Sequence, residues 1–93
     1  MRDKNWYEHY TKKLGGKLIL DEKALKKNLE NDKPFLEVMK THLKPGSKIL
    51  EIGCALGRNT VSMSLEGYRV VAIDRDERML RIAMANVGKW GSR

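Results

Sequence analysis

The sequence predicts an α/β fold: N-terminal helices followed by a β-α-β-α unit with parallel strands. Two observations carry this reading. Lys48–Ile52 and Arg69–Asp74 are short apolar runs bounded by turn residues, and after each the apolar residues recur at helical spacing. Strands joined through a single helix form a crossover, which makes them parallel with a right-handed connection.

The elements follow in order. Asp3 to about Lys13 carries Trp6, Tyr7 and Tyr10 on a short helical stretch, ended by the breaker pair Gly15-Gly16. Asp21 suits the N-cap of a helix with Ala24, Leu25, Asn28 and Leu29 on one face. Asn31-Asp32-Lys33-Pro34 reads as the start of another helix, because acids and proline favour a first turn. Its apolar stripe is Phe35, Val38, Met39, His42 and Leu43, and Pro45-Gly46 turns the chain into the strand Lys48–Ile52. A helix is expected from about Arg58-Asn59, with Val61, Ser64 and Leu65 on one face and Gly67 as its stop. RVVAID (69–74) reads as a strand buried on both faces. The last helix places Met79, Ile82, Ala83, Asn86 and Val87 on one stripe and is expected to stop at Gly88.

Composition narrows the classes of function. The 93 residues carry a net charge of +7, and residues 1–48 hold 12 Lys/Arg against 7 Asp/Glu. These lysines are dispersed among acids, without an arginine-rich tract, zinc-finger spacing or RNA-recognition signature, so they read as solvated helix faces rather than a nucleic-acid footprint. One cysteine, Cys54, allows no internal disulfide and no cysteine-pair metal site, so no metal is expected. The N-terminus is too polar for a signal peptide, and no apolar run approaches the ~18 residues of a membrane span. A cytoplasmic protein without membrane association is the expectation.

The stretch KILEIGCALGR (48–58) concentrates the chemistry. Open α/β sheets bind ligands at the carboxyl ends of their strands. Gly53 and Gly57 bracket the loop leaving the first strand and let a ligand approach the backbone, while the following helix aims free N–H groups at the same place. Asp74 ends the second strand, 21 residues past Gly53, where a carboxylate can accept both hydroxyls of a ribose. A dinucleotide fingerprint would need glycines at positions 55 and 58, which are Ala55 and Arg58. Nor does a pyrophosphate favour an acid such as Glu51 just before the first glycine, because like charges repel. Glu51 suits a ligand with positive charge, which points to S-adenosylmethionine with its ammonium and sulfonium groups.

ILEIGCALGRNT followed by GYRVVAIDRDERMLRIA resembles the first two motifs of the class I S-adenosylmethionine-dependent methyltransferases. The match covers roughly residues 34–87. The resemblance implies a Rossmann-like fold of which this chain supplies the first part. It implies that Glu51 orients the cofactor's ammonium, that Gly53, Cys54, Ala55 and Gly57 wrap its methionine moiety, that Asp74 holds the ribose, and that Arg75 lies along the adenine. Ala55 departs from the family's middle glycine and narrows the loop.

On this reading residues 1–33 are an N-terminal helical segment and 34–93 a partial cofactor-binding domain. The family's sheet has seven strands and two are found here, so the chain is expected to be an incomplete enzyme, inactive alone. No catalytic residue is assigned, because methyl transfer by approximation needs no base when the acceptor is already activated. The methyl acceptor is unknown, with a small molecule favoured over nucleic acid. Cys54 is read as a small buried residue, with no histidine beside it to activate a thiolate. An open apolar strand edge invites self-association, so a homodimer or a complementing chain is expected. The competing functions are a non-enzymatic cofactor-sensing or partner-binding module and an NAD-binding oxidoreductase fragment.

Overall fold

Asp21 starts the first helix by the chemistry its side chain offers. Its carboxylate accepts from the Ala24 N–H at 2.8 Å, and α1 runs from Glu22 to His42. The computed structural model describes residues 18–91, and the aromatic stretch Asp3–Lys13 lies outside them. After α1 come β1 (Lys48–Ile52), α2 (Arg58–Leu65), β2 (Arg69–Ile73) and α3 (Glu77–Trp90). The strands pair in parallel, with Ile49 opposite Val70 and Ile52 opposite Ile73. This is the α/β arrangement the sequence predicts, with the β-α-β-α order of the first part of a Rossmann-like fold.

One expected boundary is absent. Asn31–Pro34 does not begin a helix, because α1 passes through Pro34 without interruption. Proline removes one intrahelical N–H and crowds the preceding turn, so packing must hold the two halves in line. It does so through Asn28 and Leu36, both buried, and through Met39 and Leu43, which pack against the core. The same contacts correct the expected stripe. Leu36 faces inward, whereas Phe35 and Val38 are 43% and 60% exposed and His42 lies at the surface. The helix's phase is set from outside it, since Asn28 donates to the Arg58 carbonyl at 2.9 Å.

Leu36, Met63 and Tyr68 form the core cluster, with Met39, Leu43, Ile49 and Val70 packed against it. Burying side chains of this size contributes about 1.5–3 kcal/mol each. α2 is enclosed more fully than its expected face suggested. Thr60, Val61, Ser62 and Met63 are all buried, and Ser64 and Leu65 are half-buried, because α2 touches α1, α3 and β2.

The strands are not buried on both faces. Ile49 and Val70 face the helices, but Leu50 and Ile52 are 63% and 76% exposed, and Val71 and Ile73 are nearly half exposed. Among the described residues nothing covers that face. Helix α3 also departs from expectation by running through Gly88 to Trp90. A mid-helix glycine costs about 1 kcal/mol, which the last turn offsets by tertiary bonding. There the Trp90 indole Nε1 donates to the Leu20 carbonyl at 2.7 Å.

The Pro34 result gives a test of how far packing overrides local preference. Pro34→Ala restores an N–H for the carbonyl of Glu30 and should raise stability by about 1–2 kcal/mol, less than the full helix penalty because the unfolded chain also gains freedom. Urea unfolding should show a higher midpoint at unchanged slope. An unchanged midpoint would mean that proline's stiffening of the unfolded chain offsets the whole penalty.

Candidate functional site

The site is built where both strands end. The N–H groups of Gly53 and Cys54 donate to the Ile73 carbonyl at 2.7 and 3.1 Å, so the loop leaving β1 starts beside the end of β2. One residue on, Asp74 Oδ2 accepts from the Ala55 N–H at 2.9 Å and Oδ1 from the Asp76 N–H at 2.8 Å. Asp74 thus ties the loop to the turn that enters α3. Arg75, next along, is exposed.

The loop's backbone is unusual and its residues answer to different demands. Gly53, Ala55 and Gly57 all have positive φ, at 76°, 50° and 82°. A Cβ on Gly53 would meet no atom within 4 Å, so this glycine leaves the backbone open to a ligand. A Cβ on Gly57 would sit 2.9 Å from both Cα and Cβ of Ala83, so this glycine also serves the close approach of α3. Ala55 stands at a left-handed position that costs an L-residue about 1–2 kcal/mol. Its N–H bond to Asp74 helps to hold it there. Cys54 is buried beneath the loop, and among the described residues no three His, Cys, Asp or Glu side chains gather as metal ligands.

Glu51 lies on the helix-facing side of β1, half-buried, and accepts a hydrogen bond from Thr60 Oγ1 in the first turn of α2. Burial raises its pKa above the ordinary carboxylate range, the Thr60 bond works the other way, and the nearby Asp32 charge raises it further. Asp32 accepts from Ser62 Oγ at 2.7 Å and, with the Asn59 amide turned so that its nitrogen faces the acid, from Asn59 at 3.1 Å. Asn28 completes the network by donating to Ser62 Oγ at 3.0 Å. Helix α1 therefore holds the start of α2, and with it the end of the loop.

The opposite side of the loop is held by Asn86. This side chain of α3 is fully buried. Its Nδ2 donates to the carbonyls of Leu56 and Leu18 at 2.8 and 3.0 Å, and its Oδ1 accepts from the Leu20 N–H at 2.8 Å. Thus Gly53, Cys54, Ala55, Gly57 and Asp74 lie together where the two strands end, Glu51 sits at the end of β1 bonded to Thr60, and Arg75 stands exposed beside Asp74. Sequence reasoning gave Asn28, Asp32, Thr60, Ser62 and Asn86 no role at the site. A signal existed for two of them: Asn28 and Asn86 fall on apolar helix stripes, where a polar residue must find a buried partner.

The family described as "Tellurite resistance protein TehB" matches residues 19–89. The chain belongs to this family, and through it to the class I S-adenosylmethionine-dependent methyltransferases. It is also 37% identical over 59 residues to a probable cobalt-precorrin-6B C(15)-methyltransferase (decarboxylating) of Saccharolobus solfataricus. That alignment covers 60% of this chain and 30% of the relative, so the chain spans under a third of the relative's length. No solved structure matches the chain significantly.

The two glycines should respond differently to a methyl group. Gly57→Ala meets both an unfavourable φ and the Ala83 backbone and should cost about 2–4 kcal/mol, whereas Gly53→Ala meets only the φ term of about 1–2 kcal/mol. Urea unfolding of the two variants checks the order, and equal losses would show that α3 yields to the added methyl without cost.

Glu51 gives a pH dependence with a definite sign. Its folded value lies above its unfolded one, so between them the folded chain holds a proton that the unfolded chain has lost. Stability from this group therefore falls as pH rises from about 4.3, the ordinary glutamate value, through the raised folded value. Glu51→Gln keeps an acceptor for Thr60 and removes the titration, so the stability difference between wild type and variant should change across that window. A pH-independent difference would show that Glu51 titrates alike in both states.

Proposed function

We propose that the chain binds S-adenosylmethionine across the Glu51–Gly57 loop and Asp74 and serves methyl transfer to a small-molecule acceptor. The observation that carries this reading is the Ala55–Asp74 hydrogen bond, which joins the glycine loop to the acid at the end of β2. The residues fit the cofactor. Gly53 leaves open backbone, Asp74 places a carboxylate beside the loop where a ribose diol would lie, and Glu51 provides a carboxylate for an ammonium group. The cofactor would supply an electrophilic methyl group on a sulfonium centre. The chain's part is to bind and orient it, and proximity alone can account for much of the acceleration of such a transfer. The names of the matching family and relative, tellurite resistance and cobalt-precorrin methylation, both concern small molecules and favour an acceptor of that kind.

Calorimetry with S-adenosylhomocysteine tests the reading. Binding should occur with this ligand and not with NAD, and Asp74→Ala should weaken it by about 10–100-fold through loss of a charge-assisted ribose contact. Affinity should also rise with pH as Glu51 ionises and attracts the ammonium. Undiminished binding by a folded Asp74→Ala chain would remove that acid from the site.

A further inference from the structure

Asn86 has a place in the structure that cofactor contact does not explain. It lies behind the loop, on α3, with no exposed surface. An asparagine amide offers two N–H donors and a carbonyl acceptor, and all three functions are engaged. One donor goes to Leu56 O, in the loop, and the other to Leu18 O, in the segment before α1. The acceptor takes the Leu20 N–H. A single side chain therefore joins segments 30 and 68 residues away from it in sequence.

The bond to Leu56 falls at a sensitive point. Leu56 is buried between Ala55 and Gly57, both with positive φ, so the direction of its carbonyl reports how the whole loop is folded. Rotation of the 56–57 peptide would turn that carbonyl away from Asn86 and leave a buried donor without a partner, which is costly in an enclosed site. The Leu18–Leu20 segment is held a second time from the same helix. Trp90 Nε1 donates to Leu20 O at 2.7 Å, and Lys89 Nζ reaches the same oxygen at 3.4 Å. If that segment moves, Asn86 loses two of its three partners and is free to turn from the loop.

We propose that Asn86 is a positioning residue for the glycine loop, and that through it the loop's geometry depends on the Leu18–Leu20 segment being seated against α3. The loop's order and the seating of this segment are then a single equilibrium. Any ligand that needs the loop in this form stabilises the seated segment, and affinity falls as the seated fraction falls. The coupling stands on the hydrogen bonds alone, whereas its consequence for the cofactor rests on the proposed function.

The deciding variant is Trp90→Phe, which removes one bond to Leu20 O, keeps an aromatic ring and changes no residue of the loop. Amide hydrogen exchange in the full chain is read at Gly57, whose N–H donates to Cys54 O within the loop, and at Leu36 in α1 as a reference. Trp90→Phe should speed exchange at Gly57 by about fivefold, the factor that one net hydrogen bond is worth, and leave Leu36 unchanged. In Asn86→Ala the Gly57 amide should already exchange fast, and adding Trp90→Phe should change it no further. If Asn86→Ala does not fold, Trp90→Phe decides the matter alone. Unchanged exchange at Gly57, or an equal rise at Gly57 and Leu36, would overturn the proposal. In Trp90→Phe, S-adenosylhomocysteine should slow exchange at Gly57, because the ligand draws the loop back to its seated form. A wild-type chain that binds no S-adenosylhomocysteine would sink the proposed function while the exchange data still judged the coupling.

Discussion

The carboxylate of Asp74 is the point on which the arrangement of the loop depends. Two parallel strands can place their ends side by side, but they do not decide how the chain leaves them. Asp74 decides it by accepting one backbone N–H from Ala55 and another from Asp76, so that the turn out of β1 and the turn into α3 share one anion. A charged acceptor makes such bonds stronger than neutral ones. Asp74 is in this way a structural clamp between the two turns.

Around this clamp the loop is supported from both sides by buried polar groups rather than by apolar packing alone. On one side Asn28, Asp32 and Ser62 connect α1 to α2, while Thr60 joins α2 to Glu51 on β1. On the other side Asn86 connects α3 to Leu56 and to the segment before α1. Polar networks of this kind hold a unique geometry when each group is satisfied, and no buried side-chain nitrogen or oxygen among the described residues lacks a partner. Ala55 shows what the support is worth. It holds a left-handed backbone that glycine would adopt without strain, and the surrounding bonds keep it there.

The uncovered face of the sheet is the other notable physical fact. Parallel strands are ordinarily covered on both faces, and here no described helix covers the face that carries Leu50, Ile52, Val71 and Ile73. The alternation along each strand is clean only because one face packs on α1 and α2. Among the described residues no second layer is present, and an apolar run that reads as fully buried is half-exposed.

The sequence by itself determined the elements with strong local causes. Asp21 caps α1 through its own carboxylate, Gly67 follows the end of α2, and the spacing from Gly53 to Asp74 brings loop and acid together because a strand, a helix and a strand can close in few ways. The positions of the candidate site residues were legible for the same reason: they sit at strand ends, which apolar runs reveal. What only the tertiary structure decided were the places where distant contacts outweigh local preference. Pro34 and Gly88 signal helix ends, yet α1 and α3 run past them because Leu36, Met39 and Leu43, and Trp90 with its bond to Leu20, bind those turns to the rest of the fold. The inward phase of α1 and the reach of Asn86 were hidden likewise, since each depends on a partner 30 or more residues away, and no local pattern records which partner a buried amide will find.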